Sequence, residues 1–382
     1  MADAADTLVA LEPGGAADVQ RMTHVGAHWG GQLSAAQYAA RDAYVAKHCA
    51  WVRDSGALTI HALMAGATEQ PLAIDASCET YRMRALCCEA PGVATPCTVL
   101  GIASVFTPPE RRGKRNASRM LAALAAKVAA TEPDVRATML MCEIRPDIYA
   151  RAGYVAPQQA PPSDWAFTSS SPPPEVHSPP EATLLQPSDL AAVAAQIAAL
   201  AERDLLHRGV GAITVVPTAE QLLWHAARYD ARRELLPGVG LPPPRACGAR
   251  CGDAFAVWAM DMEECPHPAG GELLLHQPVL RVLAFCAAAD AEATAAVLAA
   301  AVAAALGAGA PCGRALSWDT GTLHAAGAEA AALWAPPAEE LARGGVCCAR
   351  EARRCESAPM LRPVNSGVQP TSWRWVPRGV WV

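Results

Sequence analysis

The stretch TVLGIASVFTPPERRGKRNASRMLAALAAKV, residues 98–128, reads as three local structures in succession. Val99, Ile102 and Val105 make its first third strand-like, and Pro108-Pro109 ends that strand because proline has no ladder donor. The basic run Arg111-Arg112-Gly113-Lys114-Arg115 follows. An alanine-rich segment then carries Met120, Leu121, Leu124 and Val128 at helical spacing on one face, with a stop at Pro133. Strand, basic turn and helix start together form an anion site: free first-turn amides, the helix dipole and flanking cations all favour a phosphate there.

Composition bounds what surrounds this site. With 382 residues, 52% of them hydrophobic, the chain can bury a large core and is long enough for two domains. A net charge of -6 excludes a nucleic-acid binder of overall basic character, so the basic run is a local feature. The first residues, MADAADTLVALEPGG, lack the basic segment and apolar core of a secretory leader. The longest apolar run, residues 295–310, is mostly alanine, whereas a membrane span needs about 20 strongly apolar residues. The expectation is a cytoplasmic protein without a membrane partner, its 14 cysteines free thiols rather than disulfides.

Taken in order, Leu8 to Leu11 reads as a first strand and residues 16–27 and 34–52 as helices, the second capped by Ser34. Leu58 to Met64 and Leu72 to Arg84 read as alternating strands, and Ala137 to Ile144 as an apolar strand buried on both faces. Residues 157–181 are rich in proline and serine and read as an extended linker. In the second half, residues 182–382, a helix from Ser188 and a strand at Ile213 to Val216 precede a helix from Thr218 to Leu236. Strands at Phe255 to Met262 and Glu272 to Phe285, a long alanine-rich helix and a strand at Arg314 to Trp318 then repeat the coarse order of the first half. The approach to that second helix, CAAADAEAT, is acidic, so no second anion site is expected.

The segment Arg112 to Ser118, RGKRNAS, resembles the acetyl-CoA-binding turn of the GNAT-type N-acetyltransferases, Arg-Gly-Lys-Gly-x-Ala, with Arg115 in place of the second glycine. Asp147 to Tyr154, DIYARAGY, is similar to that family's next motif, a tyrosine before a Gly-aromatic pair. Within the superfamily, SCETYRM (Ser77 to Met83), ASVFTPPERRGK (Ala103 to Lys114) and VVPTAEQLLWH (Val215 to His225) look most like the fungal lysine N6-acetyltransferases. The resemblance implies an α/β fold with a mixed central sheet, the GNAT acyltransferase fold, over residues 1–156. Residues 182–382 would then be a degenerate copy of that fold or a separate α+β module walling the substrate pocket. It also implies acetyl-CoA as cosubstrate and direct attack by a small-molecule amine, lysine or a relative, in a ternary complex. Acetylation of a protein lysine or N-terminus, and a non-catalytic CoA-binding module, are the other readings.

Acetyl transfer to an amine needs a neutral amine, a donor for the developing oxyanion and a proton for the departing thiolate. By the resemblance, the backbone of Val105, Phe106 and Thr107 serves the carbonyl oxygen. Arg112, Gly113, Lys114, Arg115, Asn116, Ala117 and Ser118 hold the pyrophosphate, and Tyr149 protonates the thiolate. Glu79 and Glu143 are the candidate bases. Glu110 lies beside the turn, and the carboxylate of Val382, closing the apolar tail SWRWVPRGVWV, is a further candidate. Cys247, Cys251, Cys265 and His267 lack the spacing of a zinc site, so no metal is expected. Cys87-Cys88 and Cys347-Cys348 read as core thiols.

Overall fold

The structure, a computed structural model, describes residues 7–31, 33–54, 56–64, 74–142, 146–155, 163–169, 181–244, 246–266, 274–308, 315–318, 322–324, 335–343, 345–352 and 358–365. The first half runs β1 (Thr7–Leu11), α1 (Ala16–Trp29), α2 (Ala35–His48), α3 (Ala50–Arg53), β2 (Leu58–Met64), β3 (Ile74–Ala90), β4 (Val93–Phe106), α4 (Asn116–Thr131), β5 (Val135–Cys142) and α5 (Pro146–Ala150). Ser34 caps α2 through a reciprocal pair of bonds with Gln37. The helix expected as far as Val52 breaks at Cys49, whose extended backbone (ψ 112°) separates α2 from α3. On α4, Met120, Leu121, Leu124 and Val128 are all buried, as their spacing requires.

The second half runs β6 (Ser163–Ser169), β7 (Thr183–Leu185), α6 (Leu190–Arg208), β8 (Ile213–Val215), α7 (Ala219–Leu235), β9 (Gly248–Cys251), β10 (Ala254–Pro266), β11 (Leu274–Ala287), α8 (Ala291–Gly307), β12 (Ala315–Trp318), β13 (Thr322–His324), α9 (Ala338–Arg343), β14 (Val346–Ala352) and β15 (Ala358–Pro363). Among the described residues, no helix is long and apolar enough to cross a membrane.

Two mixed sheets result. The first has the order β1-β2-β3-β4-β5-β15, with β8 also paired to β3; the second has the order β14-β6-β12-β11-β10-β9-β7, with β13 beside β11. β4 and β5 are parallel and joined by α4, while β3 is antiparallel to both β2 and β4. β11 and β12 are likewise parallel and joined by α8, with β9, β10 and β11 antiparallel. The second sheet thus repeats the topology of the first. β3 departs from the expected alternation: residues 74–81 are buried on both faces. Its Met83 and Tyr81 join a core with Trp224 of α7, and Ala76 and Cys78 join one with α4.

One expectation is corrected. The stretch expected to be linker, residues 157–181, contains β6, a central strand hydrogen-bonded to β12 on one side and β14 on the other. Its prolines lie outside SDWAFTS, and Ala166 and Phe167, pointing to opposite faces, are both buried. Averaging composition over 25 residues hid a seven-residue strand. β6 fills the antiparallel place beside β12, while β15, near the end of the second half, fills the equivalent place beside β5.

Candidate active site

The turn before α4 passes through a left-handed residue at Arg115, where the motif it resembles has its second glycine. Arg115, the N-cap of α4, sits at φ 60° and ψ 26°, the left-handed region a glycine adopts freely and an arginine enters at a cost of about 1 kcal/mol. Gly113 has φ +82° with open space where a Cβ would stand. Arg112, Gly113, Lys114 and Arg115 are exposed, whereas Asn116 is buried. The Asn116 side chain braces the turn, donating to the Arg111 carbonyl at 3.1 Å and the Asp75 carbonyl at 3.5 Å. Arg112 is tied back to the Thr107 carbonyl at 3.1 Å, and Arg111 pairs with Asp75 at 3.5 Å. That leaves the exposed side chains of Lys114 and Arg115 beside the first-turn amides of Asn116, Ala117 and Ser118, which lack intrahelical acceptors. By contrast, α8 is capped by the Asp290 carboxylate, accepting from the Glu292 amide at 2.9 Å, so a negative charge already occupies that helix start.

Upstream of the turn, β4 is irregular where it faces β3. The register runs from Glu79↔Ala103 to Ser77↔Phe106, so β4 carries an extra residue, and Ser104 takes φ 52°. Its parallel pairing with β5 extends only to Ile102↔Leu140, short of the strand ends at Phe106 and Cys142. Val105 packs against the α4 core, while Phe106 turns to the α1 side, among Met22, Val25 and Tyr38. Segment 103–107 therefore has α4 on one face and the first helices on the other.

On the latter face lies a cavity of about 1250 Å³, bounded by α1, α2, β2, β3, Ala103 and Ser104 of β4, and Trp224, Arg228 and Arg232 of α7. Glu79 lines it and is 7% exposed. Arg21 donates to its Oε1 at 2.8 Å, and Tyr81 and Ser104 donate to its Oε2 at 3.0 and 3.1 Å. Burial alone would raise the Glu79 pKa, but the Arg21 charge and these three hydrogen bonds outweigh it and hold the carboxyl below its usual range. Glu79 is therefore an ionised, fully partnered carboxylate.

Of the other expected residues, Tyr149 is buried on α5 beside Tyr154, ring centroids 6.4 Å apart, in the core cluster that includes Ile102 of β4 and Cys142 of β5. α5 is fixed to α4 by Ser118 Oγ, which donates to the Ile148 carbonyl at 3.4 Å. Glu110 is exposed on a 3₁₀ turn, away from the large cavity. Glu143, Val382 and His267 lie outside the described residues, as does the side chain of Cys265. Among the described residues, no group of three metal-ligating side chains occurs. Cys87 and Cys88 are buried, but Cys347 is exposed on β14 and is no core thiol. Asp18, Arg21 and Ser104 escaped the sequence reading. An ordinary i,i+3 charge pair on α1 and a serine within a strand give no signal until the bulge brings them to Glu79. Trp224 and Arg228 belong to the helix begun by VVPTAEQLLWH, and that segment was the available signal.

Comparison with known proteins bears on this arrangement. A conserved protein of unknown function from Enterococcus faecalis V583, described as a probable N-acyltransferase, is 12% identical, covers 94% of this chain and 73% of its own, and superposes with a TM-score of 0.50. A GCN5-related N-acetyltransferase from Kribbella flavida is 16% identical over 97% of this chain and 80% of its own, with a TM-score of 0.48. The first of these likenesses shows the fold, a GNAT-type acyltransferase architecture. No curated protein matches the chain. Residues 165–381, more than half of the sequence, match the family described as the LYC1 GNAT-like C-terminal domain, and the chain belongs to that family.

Proposed function

We propose that the protein is an acetyl-CoA-dependent N-acetyltransferase in which residues 1–156 carry the chemistry and residues 182–382 wall the acceptor pocket. The observation that carries this reading is the position of segment 103–107, which has the cavity and Glu79 on one face and α4 with its basic turn on the other. Pyrophosphate sits at the α4 N-terminus with Lys114 and Arg115, and β4 and β5, whose pairing with each other ends at Ile102↔Leu140, receive between them the amide-bearing arm that ends in the thioester. An amine in the cavity attacks the thioester carbonyl carbon. A backbone amide of Val105 to Thr107 steadies the oxyanion. The C–S bond then breaks, Tyr149 protonates the leaving thiolate, and the amine's proton passes to the Glu79 carboxylate through water. Lysine or a related small amine is the acceptor, supported by the sequence resemblance and by a cavity roomy enough for a small ligand.

A thermal-shift titration tests the cosubstrate. Acetyl-CoA at about 100 times its dissociation constant should stabilise the protein by about 2.7 kcal/mol, and no shift at saturation refutes the reading. Thiol release with free lysine should exceed that with a lysine-containing peptide, and the reverse would favour a protein acceptor. Replacing Arg115 with glycine keeps the left-handed backbone and removes only the side chain. Acetyl-CoA affinity is expected to fall about fivefold, the loss of one exposed phosphate contact. Tighter binding by calorimetry would show that the arginine obstructs the site instead.

A further inference from the structure

If the cavity holds the acceptor, as proposed above, the charges around it define what else the acceptor carries. At the bulge end, Asp18 and Glu79 share Arg21, each at 2.8 Å, so two carboxylates face one guanidinium and one negative charge is left over. The cations toward α7 are matched differently. Arg41 pairs with Asp42 at 2.6 Å and lies over the Tyr38 ring, and Arg232 pairs with Asp261 at 3.0 Å. Arg228 rests with its Cζ 4.7 Å from the centroid of the Trp224 ring; the carboxylates of Asp261 and Asp42, which pair with Arg232 and Arg41, attract it from beyond ion-pair distance. Burial first, and then Arg41 and Arg232, push its pKa down to about 10, which still leaves it protonated at neutral pH. A partly buried cation that shares its nearest carboxylates with other arginines is costly to keep. A flat guanidinium held on an indole ring presents its donors in the fork that a carboxylate accepts.

We propose that Arg228 is the specificity-determining residue of the acceptor cavity, receiving the carboxylate of a substrate whose amino group lies at the Glu79 end. The cavity, negative at one end and positive at the other, then selects an amine that also carries a carboxylate over a plain amine. The residue that chooses the acceptor comes from α7, in the second half of the chain, and the group beside the reacting amine from β3, in the first.

Calorimetry on the CoA-free protein with L-lysine and with 1,5-diaminopentane, which differs only in lacking the carboxylate, tests this. The wild-type protein should bind L-lysine about 10- to 100-fold more tightly, the worth of a charge-assisted bidentate contact. Arg228→Met should bring the ratio to about one, and Arg228→Lys should retain part of it. Equal binding of the two ligands by the wild type, binding of neither, or an undiminished ratio in Arg228→Met overturns the proposal. Should Arg228→Met fail to fold, the wild-type ratio and its reduction in Arg228→Lys carry the test. A protein that keeps the calorimetric preference but releases no thiol from acetyl-CoA refutes the transferase reading and leaves the assignment of Arg228 standing.

Discussion

Replacing Glu79 with glutamine is expected to lower both stability and turnover. The substitution removes the charge from a carboxylate that accepts from Arg21, Tyr81 and Ser104, and leaves Arg21 balanced by Asp18 alone. Breaking a buried pair from one side costs about 3–5 kcal/mol when no partner remains. With Asp18 still at 2.8 Å, a loss of about 2–3 kcal/mol is expected, or roughly 5 °C in thermal midpoint. On the proposed mechanism turnover should fall about 100-fold, because the carboxylate that takes the amine's proton is gone. The pH dependence separates the two roles. Because the folded-state pKa of Glu79 lies below its ordinary value, its contribution is fully present above the usual carboxylate range and is lost as pH falls through the folded pKa. The wild-type midpoint should therefore drop more steeply on acidification than that of Glu79→Gln. His61, pushed down to about 4 by burial and then by Lys127, destabilises both proteins equally as the pH falls below 6.5, so the difference between the two curves reports Glu79. Parallel curves would show that the ion pair contributes nothing.

The second large effect is expected at Tyr149. Phenylalanine keeps the ring that packs against Tyr154 and the α4 core, so stability should change by no more than about 1 kcal/mol. On the proposed mechanism the hydroxyl supplies the proton for the thiolate, so kcat should fall about 10²- to 10³-fold with little change in acetyl-CoA affinity. An unchanged kcat under single-turnover conditions would eliminate Tyr149 as the acid and move attention to a water or to another hydroxyl near the β4–β5 opening.

The fold was legible wherever one local rule governed a whole element. The apolar spacing of Met120, Leu121, Leu124 and Val128 specified a face of α4, Ser34 marked a helix start, and the acidic approach at Asp290 separated α8 from α4. Residues 163–169 are hidden in the sequence because proline content dominates a stretch whose apolar run, Trp165, Ala166 and Phe167, is only three residues long and is buried on both faces. Of the site, the anion turn and Glu79 could be named because a motif or a strand held them. The partners of Glu79 could not. Arg21 lies 58 residues away on another element, and Ser104 reaches the carboxylate only through a positive φ that no side-chain pattern announces. Arg228 becomes informative only by subtraction, once every neighbouring cation has been matched with its carboxylate.

The reciprocal placement of β6 and β15 bears on how the chain is made. During synthesis from the N-terminus, β5 emerges long before the strand that covers its free edge, so the first sheet must wait for residues 358–363 with a row of unpaired amides and carbonyls open to any passing strand. β6 waits in the same way for β12 and β14. The second sheet has all its strands once β14 has emerged, whereas the first still lacks β15, which makes the last step of folding the closure of the first sheet over a large sequence separation and therefore slow. A nascent chain released before β15 would expose the edge of β5 opposite β4. Half-length products are expected to associate with each other through that edge rather than accumulate as working monomers.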